Sequence, residues 1–180
     1  MRIDELRQER GGRSILIRCP ERTDAAAMLA GLEKICGETE FLLRGAGELS
    51  FTVMEEEDFI SAVNDSPRDL MLQCFVDGEF AGNCSFTGLT PARRAHRADF
   101  GIALLQKYTG MGLGQLLTER AILGARQAGY SQLELEVSAE NTRAIALYQK
   151  LGFREYGRFP NGLRYSDGRC ADLLWMMLRL

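Results

Sequence analysis

The chain has 180 residues, 46% of them hydrophobic and 26% charged, with a net charge of −3. Those values describe one soluble globular domain able to bury a proper core, and they exclude a general attraction to nucleic acid. No apolar window reaches the length that spans a bilayer, and the start MRIDELRQERGGRS is charged where a signal peptide has an apolar core, so no membrane partner is expected and the protein is placed in the cytoplasm.

In chain order, residues 1–12 read as a polar lead-in, divided by Gly11 and Gly12 from a single domain over 13–180 whose first strand, SILIR, ends at Arg18. Thr23 predicts a cap for a helix reaching about Cys36, with Asp24 in its first turn and Ala26, Met28, Leu29 and Leu32 on its apolar face. A second helix, near Met54 to Val63, opens on the acidic EEED and stops before Asp65-Ser66-Pro67. Two strands follow, LMLQCFV and EFAGNCSF, joined as a hairpin at Asp77-Gly78. The short basic run RRAHR around Arg93 and Arg94 reads as a solvated loop or strand end.

From about His96 the order becomes strand, glycine turn, helix, strand, helix, strand. ADFGIALL is the strand entering the glycines, residues 112–127 form a helix, and 132–137 the next strand. Residues 141–151 form a short helix that Gly152 closes, FREYGRF follows as a strand, and ADLLWMMLRL is a last strand against the core. No repeat, low-complexity segment or linker is present, so no second domain is expected. The five cysteines (Cys19, Cys36, Cys74, Cys84, Cys170) are odd in number and lack a CxxC pair, which predicts reduced residues, mostly in the core, no disulfide framework and no metal site. His96, the only histidine, reads as a strand or surface residue.

The stretch GMGLGQLLTERA, starting at Gly110, holds three glycines in its first five residues and then turns helical. Two readings are open: a plain turn, or an anion site in which unpaired amides at a helix N-terminus approach a phosphate that no side chain blocks. A dinucleotide fingerprint does not fit. GxGxxG fails in both registers, with Gln115 or Leu117 where the last glycine should stand, and antiparallel hairpins precede the turn.

The segments IALLQKYTGMGLG, from Ile102 to Gly114, and LEVSAENTRAIALYQKLGF, from Leu135 to Phe153, together resemble the acetyl-CoA-binding core of the GNAT superfamily of N-acetyltransferases. Asn141, Ala144, Leu147, Tyr148, Gly152 and Phe153 carry that family's spacing, and the resemblance is strongest over residues 100–157. It implies an α/β fold, a mixed and largely antiparallel sheet flanked by helices, and acetyl-CoA as co-substrate without a metal. It further implies that Thr109, Gly110, Met111, Gly112, Leu113, Gly114 and Gln115 surround the coenzyme's pyrophosphate. The resemblance also implies that Ile102, Ala103 and Leu104 pair with the pantetheine arm through their backbone, and that Asn141, a cap for its helix, contacts that arm as well. Thr109 departs from the pattern, since the family usually has Gln or Arg there; amide donors do not depend on that side chain.

Acetyl transfer to an amine needs a base, because an amine of pKa about 10 arrives protonated, and an acid for the departing thiolate. Glu134 and Glu136 lie on one face of their strand and are candidate bases, or solvated carboxylates on an open sheet face; the resemblance matches Glu136 to the base and Tyr148 to the general acid. Glu38, Glu40 and Phe41, in the segment GETEFLLRGAGE, are candidates for holding the acceptor's ammonium group and apolar part, or an ordinary helix-to-loop transition. The expected activity is direct acetyl transfer to a primary amine of a small molecule or amino acid, with a homodimer allowed. Two alternatives are acetylation of protein N-termini and a silent acyl-CoA sensor.

Overall fold

The computed structural model describes residues 1–180. Eight strands form one sheet: β1 (Leu6–Arg10), β2 (Arg13–Arg18), β3 (Leu70–Val76), β4 (Glu79–Gly88), β5 (Arg97–Leu104), β6 (Gln132–Ser138), β7 (Arg154–Arg164) and β8 (Cys170–Arg179). The four helices are α1 (Ala25–Glu38), α2 (Val53–Asp65), α3 (Leu113–Gln127) and α4 (Thr142–Lys150). The strand order is β1-β2-β3-β4-β5-β6-β8-β7, and every neighbouring pair is antiparallel except β5 and β6. This is the mixed, largely antiparallel architecture expected.

Strand alternation sorts the core into two layers. Leu70, Leu72 and Cys74 of β3 share the larger cluster with Leu113, Leu117, Ala121 and Ala125 of α3. Met71, between them, joins Ala25 and Met28 of α1 with Ile60 and Val63 of α2. The sheet is thus covered by α3 on one face and by α1 and α2 on the other. A Cβ at Gly124 of α3 would stand 2.5 Å from Leu70 Cδ2, so glycine there lets the helix lie close on the sheet.

Two expectations change. The polar segment before Gly11-Gly12 is not a lead-in over its whole length: both glycines have positive φ, and the chain turns back so that β1 pairs with β2 from Leu6↔Ile17 to Arg10↔Arg13. A charged edge strand carries little hydrophobic alternation, which is why its sequence reads as loop. In α1 Met28 is buried and Leu32 packs against both core clusters as expected, but Ala26 is exposed and Ala25, Ile35 and Cys36 complete the buried face; a 3-10 turn over Arg22–Asp24 comes first and the helix starts at Ala25.

The feature that positions the site lies between β5 and β6. They pair only at Arg97↔Gln132, Ala98↔Leu133 and Asp99↔Glu134. Beyond that row β5 stays with β4 as far as Gly82↔Leu104, and β6 stays with β8 as far as Ser138↔Leu173, so the two parallel strands diverge and open the sheet.

Candidate active site

A cavity of about 1310 Å³ fills the fork. One wall is β5 and the glycine turn, the other is β6 and α4, and the loop after α1 closes it through Phe41 and Leu43. Ile102, Ala103, Leu104, Thr109, Gly110, Gly112, Leu113, Gly114, Gln115, Asn141, Tyr148 and Glu136 all line it. Residues far apart in the chain therefore meet around one cavity. Met111 is displaced: it lines a smaller neighbouring cleft of about 370 Å³ with Gly110, Arg10, Gly11 and Arg13 of the β1–β2 hairpin.

The glycine end is made of main chain. Gly112, at φ 76°, stands just before α3, and the helix's first bond runs from Leu116 N to Gly112 O (3.2 Å). Amides of the first turn have no acceptor within the helix, so they are free to meet an anion. A Cβ on Gly112 would collide with the Arg10 guanidinium. The Thr109 hydroxyl donates to Gln106 O (2.7 Å) and so turns back into its own loop. Gln115 donates to Glu119 (2.8 Å) and accepts from Lys150 (2.9 Å), tying α3 to α4 at the cavity rim. The residues present fit a pyrophosphate: bare backbone at the approach and no carboxylate among the lining residues of the turn.

Asn141 caps α4 by accepting from Ala144 N (3.1 Å). Tyr148, about two helical turns later and 7% exposed, packs its ring 5.7 Å from that of Phe153. Its hydroxyl has no partner in the protein although the residue lines the cavity, and burial pushes its pKa up. The side chain is thus held protonated at working pH.

The opposite end is made of side chains. Glu134 is buried and clasped by Arg97 through Nε and Nη2, with Gln132 Nε2 (2.7 Å) and the Tyr156 hydroxyl (3.3 Å) also donating to it. Burial alone would raise its pKa; the Arg97 bonds and these further donors outweigh that and hold it below the usual carboxylate range. Glu134 is therefore a committed ion-pair partner that holds the base of the fork. Glu136 is exposed in the cavity and accepts one hydrogen bond, from Trp175 Nε1 (2.9 Å). Asp99 also lines the cavity, and lost hydration there, with the nearby Glu136 and Glu134 carboxylates, raises its pKa.

Of the three residues expected at the acceptor subsite, only Phe41 lines the cavity. The Glu38 carboxylate accepts from Gln106 N (2.7 Å), and its carbonyl accepts from Gln106 Nε2 (3.0 Å), so it pins the end of α1 to the end of β5. Glu40 forms a surface ion pair with Arg169 (3.4 Å). Sequence reasoning missed Asp99, Arg97, Tyr156 and Trp175. The period of two in ADFGIALL places Asp99 on one face with Gly101 and Ala103 and could have found the first; Tyr156 and Trp175 arrive only through the pairing of β8 between β6 and β7.

No helix is long and apolar enough to cross a membrane, and no group of three or more His, Cys, Asp or Glu is placed to hold a metal ion. Residues 40–153 match the Acetyltransferase (GNAT) family. The chain is 43% identical over 117 residues to a ribosomal protein bS18 alanine N-acetyltransferase of Escherichia coli, covering 65% of this chain and 76% of that protein. It is 29% identical over 115 residues to an L-amino acid N-acetyltransferase of the same species, covering 62% and 69%. Among solved structures, a GNAT-family acetyltransferase from Streptococcus pneumoniae superposes with a TM-score of 0.89 at 32% identity, covering 92% of this chain and 99% of that one.

Proposed function

The chain belongs to the GNAT family and is an acetyltransferase; from that premise we propose that it uses acetyl-CoA to acetylate a primary amine by direct transfer within a ternary complex. The observation that carries this reading is the fork. It brings the amide-rich turn, the unpaired inner edge of β5, Tyr148 and Glu136 around one cavity.

When bound, the thioester supplies an activated acetyl carbon and a thiolate leaving group. The amides of residues 111–115 hold the pyrophosphate, with the α3 dipole behind them, and the freed backbone of Ile102, Ala103 and Leu104 aligns the pantetheine arm as an added strand would. Asn141 keeps α4 in register through its cap and, lining the same cavity, contacts the arm as well. Glu136 takes one proton from the acceptor's ammonium. Tyr148 gives its phenolic proton to the departing sulfur and is restored by the second proton that the nitrogen sheds on becoming an amide. Phe41, with Trp175 and Tyr156, forms the apolar wall against which the acceptor's carbon chain rests.

For the acceptor we propose the amine of a small molecule or amino acid. A second reading, the α-amine of a protein N-terminus, is favoured by the 43% identity to the enzyme named for ribosomal alanine acetylation. The test is a panel of free amines, amino acids and short peptides offered with acetyl-CoA and followed as free thiol. Release with a subset of these supports the reading; coenzyme binding with no release from any amine would make the protein a sensor.

A further inference from the structure

Two walls of the cavity are joined by no backbone pairing. One is the loop after α1, which carries Thr39 and Phe41; the other is the turn from β6 into α4, which carries Asn141. Both are reached from outside by the tight turn between β7 and β8, residues 165–169, which contributes no lining residue of its own. In that turn Tyr165 N donates to Arg169 O (2.9 Å), and the Arg169 guanidinium lies 5.0 Å from the centre of the Tyr165 ring.

Tyr165 is the anchor. It is 5% exposed, and its hydroxyl shares a hydrogen bond of 2.8 Å with that of Ser138, the last residue of β6, which is 1% exposed. The Ser138 hydroxyl also accepts from Glu140 N (3.3 Å), so the turn before α4 is fixed to the hairpin through buried atoms. Held there, Arg169 meets three carboxylates from three segments: Asp167 of its own turn (2.6 Å), Glu40 (3.4 Å) and Glu140 (3.5 Å). Glu40 stands between Thr39 and Phe41, and Glu140 directly precedes Asn141, so one cation bridges the two walls. Each pair is about half exposed and worth little alone. None of the three carboxylates has another ion-pair partner, however, so without Arg169 they repel one another and push the loop of Phe41 away from the turn of Asn141.

We propose that Arg169 is a positioning residue, a latch that holds the acceptor wall of the cavity against its coenzyme wall and so sets affinity for the acceptor. The inference rests on the acetyltransferase reading. Arg169 touches neither reactant; it acts through Phe41, against which the acceptor's carbon chain rests, and it gives Glu40 a role at the rim instead of in the pocket. Asn141 is fixed independently, by its cap on α4 and by donating from its amide to Ser138 O (2.9 Å). The loop is therefore the wall that gives when the latch is cut, and coenzyme affinity stands while acceptor affinity falls.

The test has two arms. Hydrogen exchange of the ligand-free protein, read by mass spectrometry, should show residues 39–52 exchanging about threefold faster in Arg169→Gln, with α3 and the sheet unchanged. Glu40→Gln should have a smaller effect, and the double variant should be no worse than Arg169→Gln, because the two substitutions cut one link. The second arm follows the amine of the panel that releases thiol fastest. Its KM should rise about threefold in Arg169→Gln and return toward wild type in Arg169→Lys, while kcat and the calorimetric affinity for acetyl-CoA stay within about twofold. Exchange of residues 39–52 indifferent to Arg169→Gln, faster exchange spread over the whole chain, or an unchanged acceptor KM would overturn the latch while leaving acetyl transfer intact. A faster loop without thiol release from any amine would overturn it through the reading on which it rests. Should Arg169→Gln fail to fold, Glu40→Gln decides by the same two measurements.

Discussion

The two ends of the cavity are built from different material. At the turn from β5 into α3, the groups offered to a ligand are amides, and the side chains matter by staying away: Gly112 carries none, and Thr109 folds back on its loop. At the fork, the backbone is already paired in the Asp99↔Glu134 row, and everything offered is a side chain drawn from β5, β6, β7 and β8. The first end should fail by addition of atoms and the second by their removal. The first should also govern binding and the second turnover, because amides hold a ligand that is present before and after reaction, whereas Glu136 and Tyr148 act on protons that move only during it.

The sharpest break of that division comes from the chemical groups. Tyr148→Phe keeps the ring packed on Phe153 and removes the proton donor, so kcat should fall by roughly 10²- to 10⁴-fold with little change in KM. Glu136→Gln should lose a comparable factor near neutral pH and recover part of it at high pH, where free amine is plentiful. Tyr148→Phe should show no such recovery, and pH–rate profiles of the two variants separate the roles.

Addition at the other end is next in size. Gly112→Asp puts a carboxylate against the anion site and a Cβ on the Arg10 guanidinium at a positive φ. Affinity for acetyl-CoA should fall at least about tenfold, ~1.4 kcal/mol, by calorimetry, with the circular dichroism of the fold retained.

Stability effects are smaller and sharpen the contrast within the fork. Arg97→Met leaves Glu134 buried without its cation, with side-chain exposure of 27% for Arg97 and 8% for Glu134 in the intact pair. A loss of about 2 kcal/mol, or roughly 4–8 °C in melting temperature, is expected at neutral pH. Because the folded pKa of Glu134 is depressed, that contribution is present above the unfolded value of about 4.3 and disappears as pH falls through the folded one, so the two proteins should converge in acid. Asp99 has the opposite sign. Its raised pKa means the ionised form burdens the native state above the folded pKa and costs nothing below the unfolded one, so Asp99→Asn should melt slightly higher than wild type at pH 7 and no higher near pH 3.

The same division explains what could be read before the structure. The glycine turn, Asn141 as a cap and Tyr148 about two turns into α4 are local patterns, each specified within a dozen residues, and the structure brings them to one cavity. The acceptor end depends on which strands become neighbours. That β8 enters between β6 and β7, carrying Trp175 to Glu136 and bringing Tyr156 to Glu134, is not encoded in any short window. Glu38 illustrates the cost: its acidic, loop-edge context fits an ammonium site, yet the amide of Gln106, 68 residues away, claims it. The β1 edge strand was hidden for another reason, since charges that protect an edge erase its alternation.

The central claim, that main chain binds and side chains react, is tested most directly by calorimetry and turnover on one double variant, Glu136→Gln with Tyr148→Phe. Acetyl-CoA should bind it within about threefold of wild type, under ~0.7 kcal/mol, while thiol release falls by at least roughly a hundredfold. A double variant that loses coenzyme affinity as severely as Gly112→Asp, or one that turns over at the wild-type rate, would contradict the account.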